Sequence, residues 1–153
     1  MVITRKNLDT YSCLEVRIKS IRRRLRYFEN HPLASESGTV KGSMGGFPYV
    51  ECHFVVGGAS VKSGDEREKL IKQLVLDLQR NERLFEDMKM DIELSIENSK
   101  MLTIEEQTIL RLKYIDRLTN SQIGDEIGYD GSTVSRKIDR IIKKCEVAHN
   151  SQS

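Results

Sequence analysis

Tryptophan is missing from this chain of 153 residues, and proline (two), cysteine (three) and histidine (three) are scarce. Cys13, Cys52 and Cys145 are odd in number, far apart, and stand in no CxxC or CxxH spacing. That excludes a disulfide framework and a redox dithiol and reads as free cytosolic thiols. His53 beside Cys52 gives two adjacent donors with no second pair, so a tetrahedral metal site is only half built and His53 reads as a polar strand residue. No apolar run approaches the ~20 residues that span a bilayer, and no basic segment followed by an apolar one opens the chain. The expectation is a cytoplasmic protein, neither embedded in a membrane nor exported. A nucleophile set, a carboxylate pair in a cleft and a metal spacing are all lacking, so the expected role is non-catalytic and free of cofactor.

What the chain has is charge, 31% of residues, sorted along its length. Counted on Lys and Arg against Asp and Glu, residues 1–30 carry +5, residues 31–63 carry 0, residues 64–100 carry -3 and residues 101–153 carry 0. Sorting of this kind suggests that the basic and acidic segments pair.

Tyr11, Leu14, Ile18, Ile21, Leu25 and Phe28 recur at steps of three and four. Only a helix gathers that spacing onto one stripe, so a helix is expected from about Asn7 to Asn30, where Pro32 stops it. The same period returns in Ile71, Leu74, Leu78, Asn81, Phe85, Met88 and Ile92, with the acids from Asp65 expected in the first turn. Two heptad helices of opposite charge, over residues 1–30 and 64–100, predict an antiparallel helix hairpin, with Asn81 fixing register at some cost in stability. The seam also admits a homo-oligomer. On the same argument Arg22, Arg23, Arg24 and Arg26 are expected to pair with the acidic helix.

Residues 31–63 hold six of the ten glycines and both prolines and read as a Gly-rich loop. Tyr49 to Val56 is β-prone between Pro48 and Gly57, which suggests a short β-hairpin at the tip. The Gly45, Gly46 pair has no Gly-Lys-Ser behind it, so a phosphate cradle is not expected.

Beyond Lys100 three short helices can be read from their caps. Thr103 with Glu106 precedes Ile104 to Ile115, Thr119 with Gln122 precedes Ser121 to Ile127, and Asp130 stands ahead of Gly131 to Cys145. A helix that ends at Ile127 and restarts near Gly131 must reverse sharply, which Gly128 allows by reaching positive φ, while the small Gly124 lets the two helices approach. Ile123, Ile127, Tyr129, Val134 and Ile138 are the expected contact. The pattern over residues 101–146 is that of a helix-turn-helix, with residues 147–153 a disordered tail. The predicted class is therefore all-α: a long heptad hairpin followed by a three-helix helix-turn-helix domain.

On a wheel of about 100° per residue the last helix sorts into an apolar side and a side that begins small and polar and becomes basic. That is what a helix entering the major groove of double-stranded DNA requires. Arg136 is the candidate for base readout, since its planar fork can pair bidentately with guanine. Arg140, Lys143 and Lys144 are candidates for phosphate contacts, Ser132, Thr133 and Ser135 for the close approach, and Ser121 and Gln122 for a backbone phosphate at the preceding helix start.

The run Leu102 to Gln107, then Leu112, Lys113, Tyr114, Leu118, Gln122, Ile123, Gly124, Gly128, Val134 and Ile138, resembles the promoter-recognition domain, region four, of bacterial sigma factors. The whole layout is similar to phage and prophage transcription regulators of the RinA and ArpU type. The resemblance implies a late-gene activator that binds DNA upstream of its genes and contacts host RNA polymerase. Two other roles fit the same elements: the DNA-recognition subunit of a packaging terminase, and a sigma-like adaptor that holds polymerase without reading DNA.

Overall fold

A computed structural model describes residues 2–33 and 59–152, and within them the chain is all helical. Five helices follow in order: α1 (Arg5–Asn30), α2 (Ala59–Glu97), α3 (Ile104–Tyr114), α4 (Asn120–Ile127) and α5 (Gly131–Gln152). The tip strand expected at Tyr49 to Val56, together with His53, Gly45 and Gly46, lies outside the described residues. The chain divides into two compact units, one of residues 1–16 with 82–153 and the other of residues 17–81. That partition cuts across the linear one read from the sequence, because α1 and α2 each give one end to each unit.

In the unit of residues 17–81, α1 buries Ile18, Ile21 and Phe28, as its heptad spacing requires. Arg67 of α2 donates to the carbonyls of Phe28, at 2.8 Å, and of His31, and lies over the Phe28 ring at 4.8 Å. Its cation thus sits where the unpaired carbonyls of α1 concentrate negative potential. Asn81, half-buried in the seam, donates to the carbonyl of Asp77 at 2.6 Å within its own helix. Arg24, expected to pair with an acid, instead lies over the rings of Tyr27 and Phe28 at 5.0 and 4.5 Å. Helix α2 begins at Ala59, before the expected start, so Asp65 and Glu66 fall beyond the first turn, which holds no acid.

The other unit has the larger core. Leu8 and Tyr11 of α1, Ile92 and Ile96 of α2, Ile109 and Leu110 of α3, Ile123 of α4 and Ile142 of α5 are all 2% exposed or less. The first sixteen residues therefore belong with the C-terminal helices, a long-range partnership that no local pattern records. The Tyr11 ring stacks on Phe85 with centroids 4.6 Å apart, while the Arg117 guanidinium lies 4.8 Å over it and pairs with Glu15. Burial raises the Tyr11 phenol above its ordinary range, with Arg117 opposing. Gln107 joins α3 to the end of α2 by donating to the carbonyls of Ile96 and Ser99 at 3.1 and 3.2 Å. Arg111 adds ion pairs to Glu93 and Glu97.

No disordered tail follows Cys145 in the described residues. Helix α5 continues to Gln152, with Ser151 donating to the Val147 carbonyl at 2.9 Å and Glu146 accepting the Arg5 amide at 2.7 Å. Neither Gly nor Pro stands after Cys145 to stop the ladder, and Glu146 ties this stretch to the start of α1. Among the described residues Cys13 and Cys145 are free thiols, no His, Cys, Asp or Glu group could hold a metal, and no helix is long and apolar enough to cross a membrane.

Candidate nucleic-acid interface

The site is built by the joint between α4 and α5. Thr119, in extended conformation, accepts from the Gln122 amide at 3.2 Å, and the Gln122 carboxamide oxygen accepts from the Thr119 amide at 2.9 Å. This reciprocal cap satisfies two donors that a helix start leaves open. Thr119→Ala should therefore cost about 1 kcal/mol of stability in a denaturant titration, with no change in the slope of the transition.

At the other end, Gly128 takes φ +79° and its amide bonds the Gly124 carbonyl at 2.8 Å, with the Tyr129 amide on the same acceptor at 3.0 Å. The chain returns so tightly that a Cβ on Gly124 would lie 2.2 Å from the Tyr129 carbonyl oxygen. Tyr129 itself is 39% exposed, not buried in the helix contact as expected. Its ring lies under the Lys137 ammonium, 4.3 Å from the centroid, and Lys137 pairs with Glu105 at 2.8 Å. The amphipathic ring is covered by a cation from α5 where the apolar pattern suggests a hydrophobic neighbour.

Asp130 starts α5. Its carboxylate accepts from the Ser132 hydroxyl and from the Thr133 amide and hydroxyl, both of the latter at 2.8 Å. These bonds, the Ser132 hydroxyl first, hold the carboxyl well below the ordinary aspartate range. A depressed folded-state value means the cap contributes fully above the ordinary value of 3.8 and is lost as pH falls through the lower folded value. In an acid titration followed by amide exchange, the Thr133 amide should stay protected from neutral pH down to about 4 and open only at stronger acidity, whereas in Asp130→Ala it should exchange fast throughout.

Helix α5 turns Val134, Ile138, Ile141, Ile142 and Cys145 inward, none more than 7% exposed. Burial raises the Cys145 thiol above its usual range. Ser132, Arg136, Arg140 and Lys143 recur at steps of four, four and three on the opposite side and are all exposed. This stripe is about 16 Å long at ~1.5 Å per residue. Ser135 is exposed at its flank and Thr133 half-buried. A Cβ on Gly131 would stand 3.3 Å from the Ser121 backbone nitrogen, so the start of α4, with Ser121 and Gln122 exposed, adjoins the start of α5.

The charges on α5 separate into used and unused. Asp139, the acid on the outward side, pairs with Arg5, whose guanidinium is raised above its ordinary range by that bond. Lys144, a candidate phosphate contact, pairs instead with Glu106 at 2.8 Å. Glu106 also accepts from the Thr103 amide at 2.9 Å in the α3 cap, and although burial works against its charge, these partners hold its carboxyl below the ordinary range. Arg136, Arg140 and Lys143 make no ion pair among the described residues. Neither the Arg5–Asp139 nor the Lys144–Glu106 pair has a local sequence signal. The first removes the only acid from the outward side, which concentrates the unopposed charge on three residues of one stripe. Comparison with family models, curated proteins and solved structures gave no match.

Proposed function

We propose that this protein is a sequence-specific DNA-binding transcription regulator, in which α4, the Gly128 turn and α5 form a helix-turn-helix and α5 enters the major groove. The observation that carries the reading is the stripe Ser132, Arg136, Arg140 and Lys143: small at the helix start, cationic beyond it, and unopposed by acid once Asp139 is held by Arg5. The major groove, about 12 Å wide, admits such a helix, and short side chains at its start let the backbone approach the base edges. Arg136 then reads a base, Arg140 and Lys143 hold phosphates, and Ser121 with Gln122 meets the neighbouring phosphate. Lys144, through Glu106, steadies α5 on α3 in this assignment.

The resemblance to sigma region four extends the proposal to a phage or prophage late-gene activator that meets host polymerase, acting in the bacterial cytoplasm. In the same reading α1 and α2 make an antiparallel heptad hairpin, supported in one unit by the Tyr11–Phe85 stack and in the other by Arg67 at the end of α1. The test is selection of bound molecules from a pool of random-sequence duplexes. Enrichment of one short motif is expected. A pool that returns unenriched but bound would leave only unspecific contact, and no binding at all would favour the adaptor that holds polymerase without DNA.

A further inference from the structure

Helix α2 is unbroken from Ala59 to Glu97, so its own register of about 100° per residue decides which of its side chains share a face. One side is occupied: Ile71, Leu74, Leu78, Phe85 and Met88 are half-buried, and Ile92 and Ile96 are buried. The opposite side holds Leu76, Arg80, Arg83, Asp87, Met90 and Leu94, at steps of four, three, four, three and four, and every one of them is exposed. Leu76, Met90 and Leu94 each expose more than half of their surface. These residues make a second heptad line on the same helix, about 27 Å long at ~1.5 Å per residue.

The line is self-complementary about Phe85. Leu76 and Leu94 stand nine residues to either side of that point, and Arg83 and Asp87, opposite in charge, stand two residues to either side. A copy of the helix laid antiparallel across the line, centred there, brings Leu76 against Leu94 twice and Arg83 against Asp87 twice. Arg83 and Asp87 make no ion pair among the described residues, so both charges are open to such a contact. Arg80 pairs with Asp77 of its own helix at 3.8 Å and comes opposite Met90, which its methylenes can cover. We infer that this face of α2 is a homodimer interface, along which a second copy of the chain pairs antiparallel over residues 76–94.

The symmetry is what favours a second copy. A twofold contact requires each residue and its counterpart to sit at equal distances on either side of the axis, and an unrelated partner would impose no such rule on this chain. Parallel pairing would set Arg83 against Arg83 and Asp87 against Asp87, a repulsion at both positions. A lipid surface does not suit the face either, because Arg80, Arg83 and Asp87 interrupt its apolar residues at the middle. The contact uses no residue of α5 and does not rest on the role given to that helix above.

The experiment is sedimentation equilibrium of the full chain from micromolar to submillimolar concentration, where a monomer–dimer equilibrium is expected. Arg83→Asp and Asp87→Arg should each raise the dissociation constant about tenfold or more, since either one sets like charges against each other at both symmetric contacts. Mixing the two variants in equal amounts should restore association as a heterodimer with one chain of each, because both contacts then join opposite charges. The two swaps combined in one chain should dimerise as the parent does, whereas Leu94→Gln should weaken the dimer with no such rescue. A parent chain that stays monomeric throughout would overturn the inference, whether another segment of the chain or a different partner covers this face. So would a dimer indifferent to both swaps, or swapped variants that keep the helical content of the parent yet fail to associate when mixed.

Discussion

Gly124→Ala should destabilise the protein more than alanine at either of the other glycines of the α4–α5 joint. The new Cβ would lie 2.2 Å from the Tyr129 carbonyl oxygen, where real Cβ contacts essentially never come below 3.0 Å, and the obstacle is backbone, which cannot swing aside. Moving that backbone would also strain the bonds from the Gly128 and Tyr129 amides to the Gly124 carbonyl. Overpacking of this kind costs about 1–3 kcal/mol, and the rigid obstacle places this case at the upper end. The better helix propensity of alanine returns about 1 kcal/mol, so a net loss near 2 kcal/mol and a fall of roughly 4–8 °C in Tm are expected. Gly128→Ala meets nothing within 4 Å and suffers only from φ +79°, for about 1 kcal/mol. Gly131→Ala, 3.3 Å from the Ser121 nitrogen, should cost less again. Thermal melting of the three variants checks the order, and a neutral Gly124→Ala would contradict the close return of the chain.

The second large effect concerns the outward stripe of α5. Arg136→Ala should lose about 1–3 kcal/mol of discrimination, roughly 5- to 150-fold, between the selected duplex and one altered at a single base pair. Lys143→Ala should weaken both duplexes equally and lower the salt slope by about 0.9. The contrast follows from chemistry, since a guanidinium fork matches the paired acceptors of a guanine edge whereas an ammonium acts as a point charge on a phosphate. Neither side chain touches the core, so neither variant should shift the melting temperature. Equal losses on both duplexes in both variants would contradict the roles given to Arg136 and Lys143.

Local chemistry was the legible part of this chain. The two capping boxes, Asp130 at the start of α5, the left-handed Gly128, the close approach at Gly124 and the inward side of α5 each depend on residues within a turn or two of one another. Long-range partnership was not legible. Nothing near Ile3, Leu8 or Tyr11 signals that they join the core of Ile109, Ile123 and Val134, nor that Arg5 finds Asp139. Lys144 reads from the sequence as a phosphate contact, yet it is held by Glu106 of α3, more than thirty residues away in the chain. Charge totals by segment hide an uneven distribution: the surplus of residues 1–30 lies in residues 17–30 and the deficit of residues 64–100 in residues 82–100. Helix α5 continues to Gln152 where a disordered tail is expected from residue 147, and no Gly or Pro there interrupts the helix.

The most direct measurement follows the backbone amides of α5 by proton–nitrogen spectra while the selected duplex is added. Large shifts concentrated at Ser132, Arg136, Arg140 and Lys143 and at Ser121 across the joint, with Val134, Ile138 and Ile142 little changed, are the result expected. Shifts confined to other helices, with the α5 stripe unmoved at saturation, would contradict the claim that this face enters the duplex.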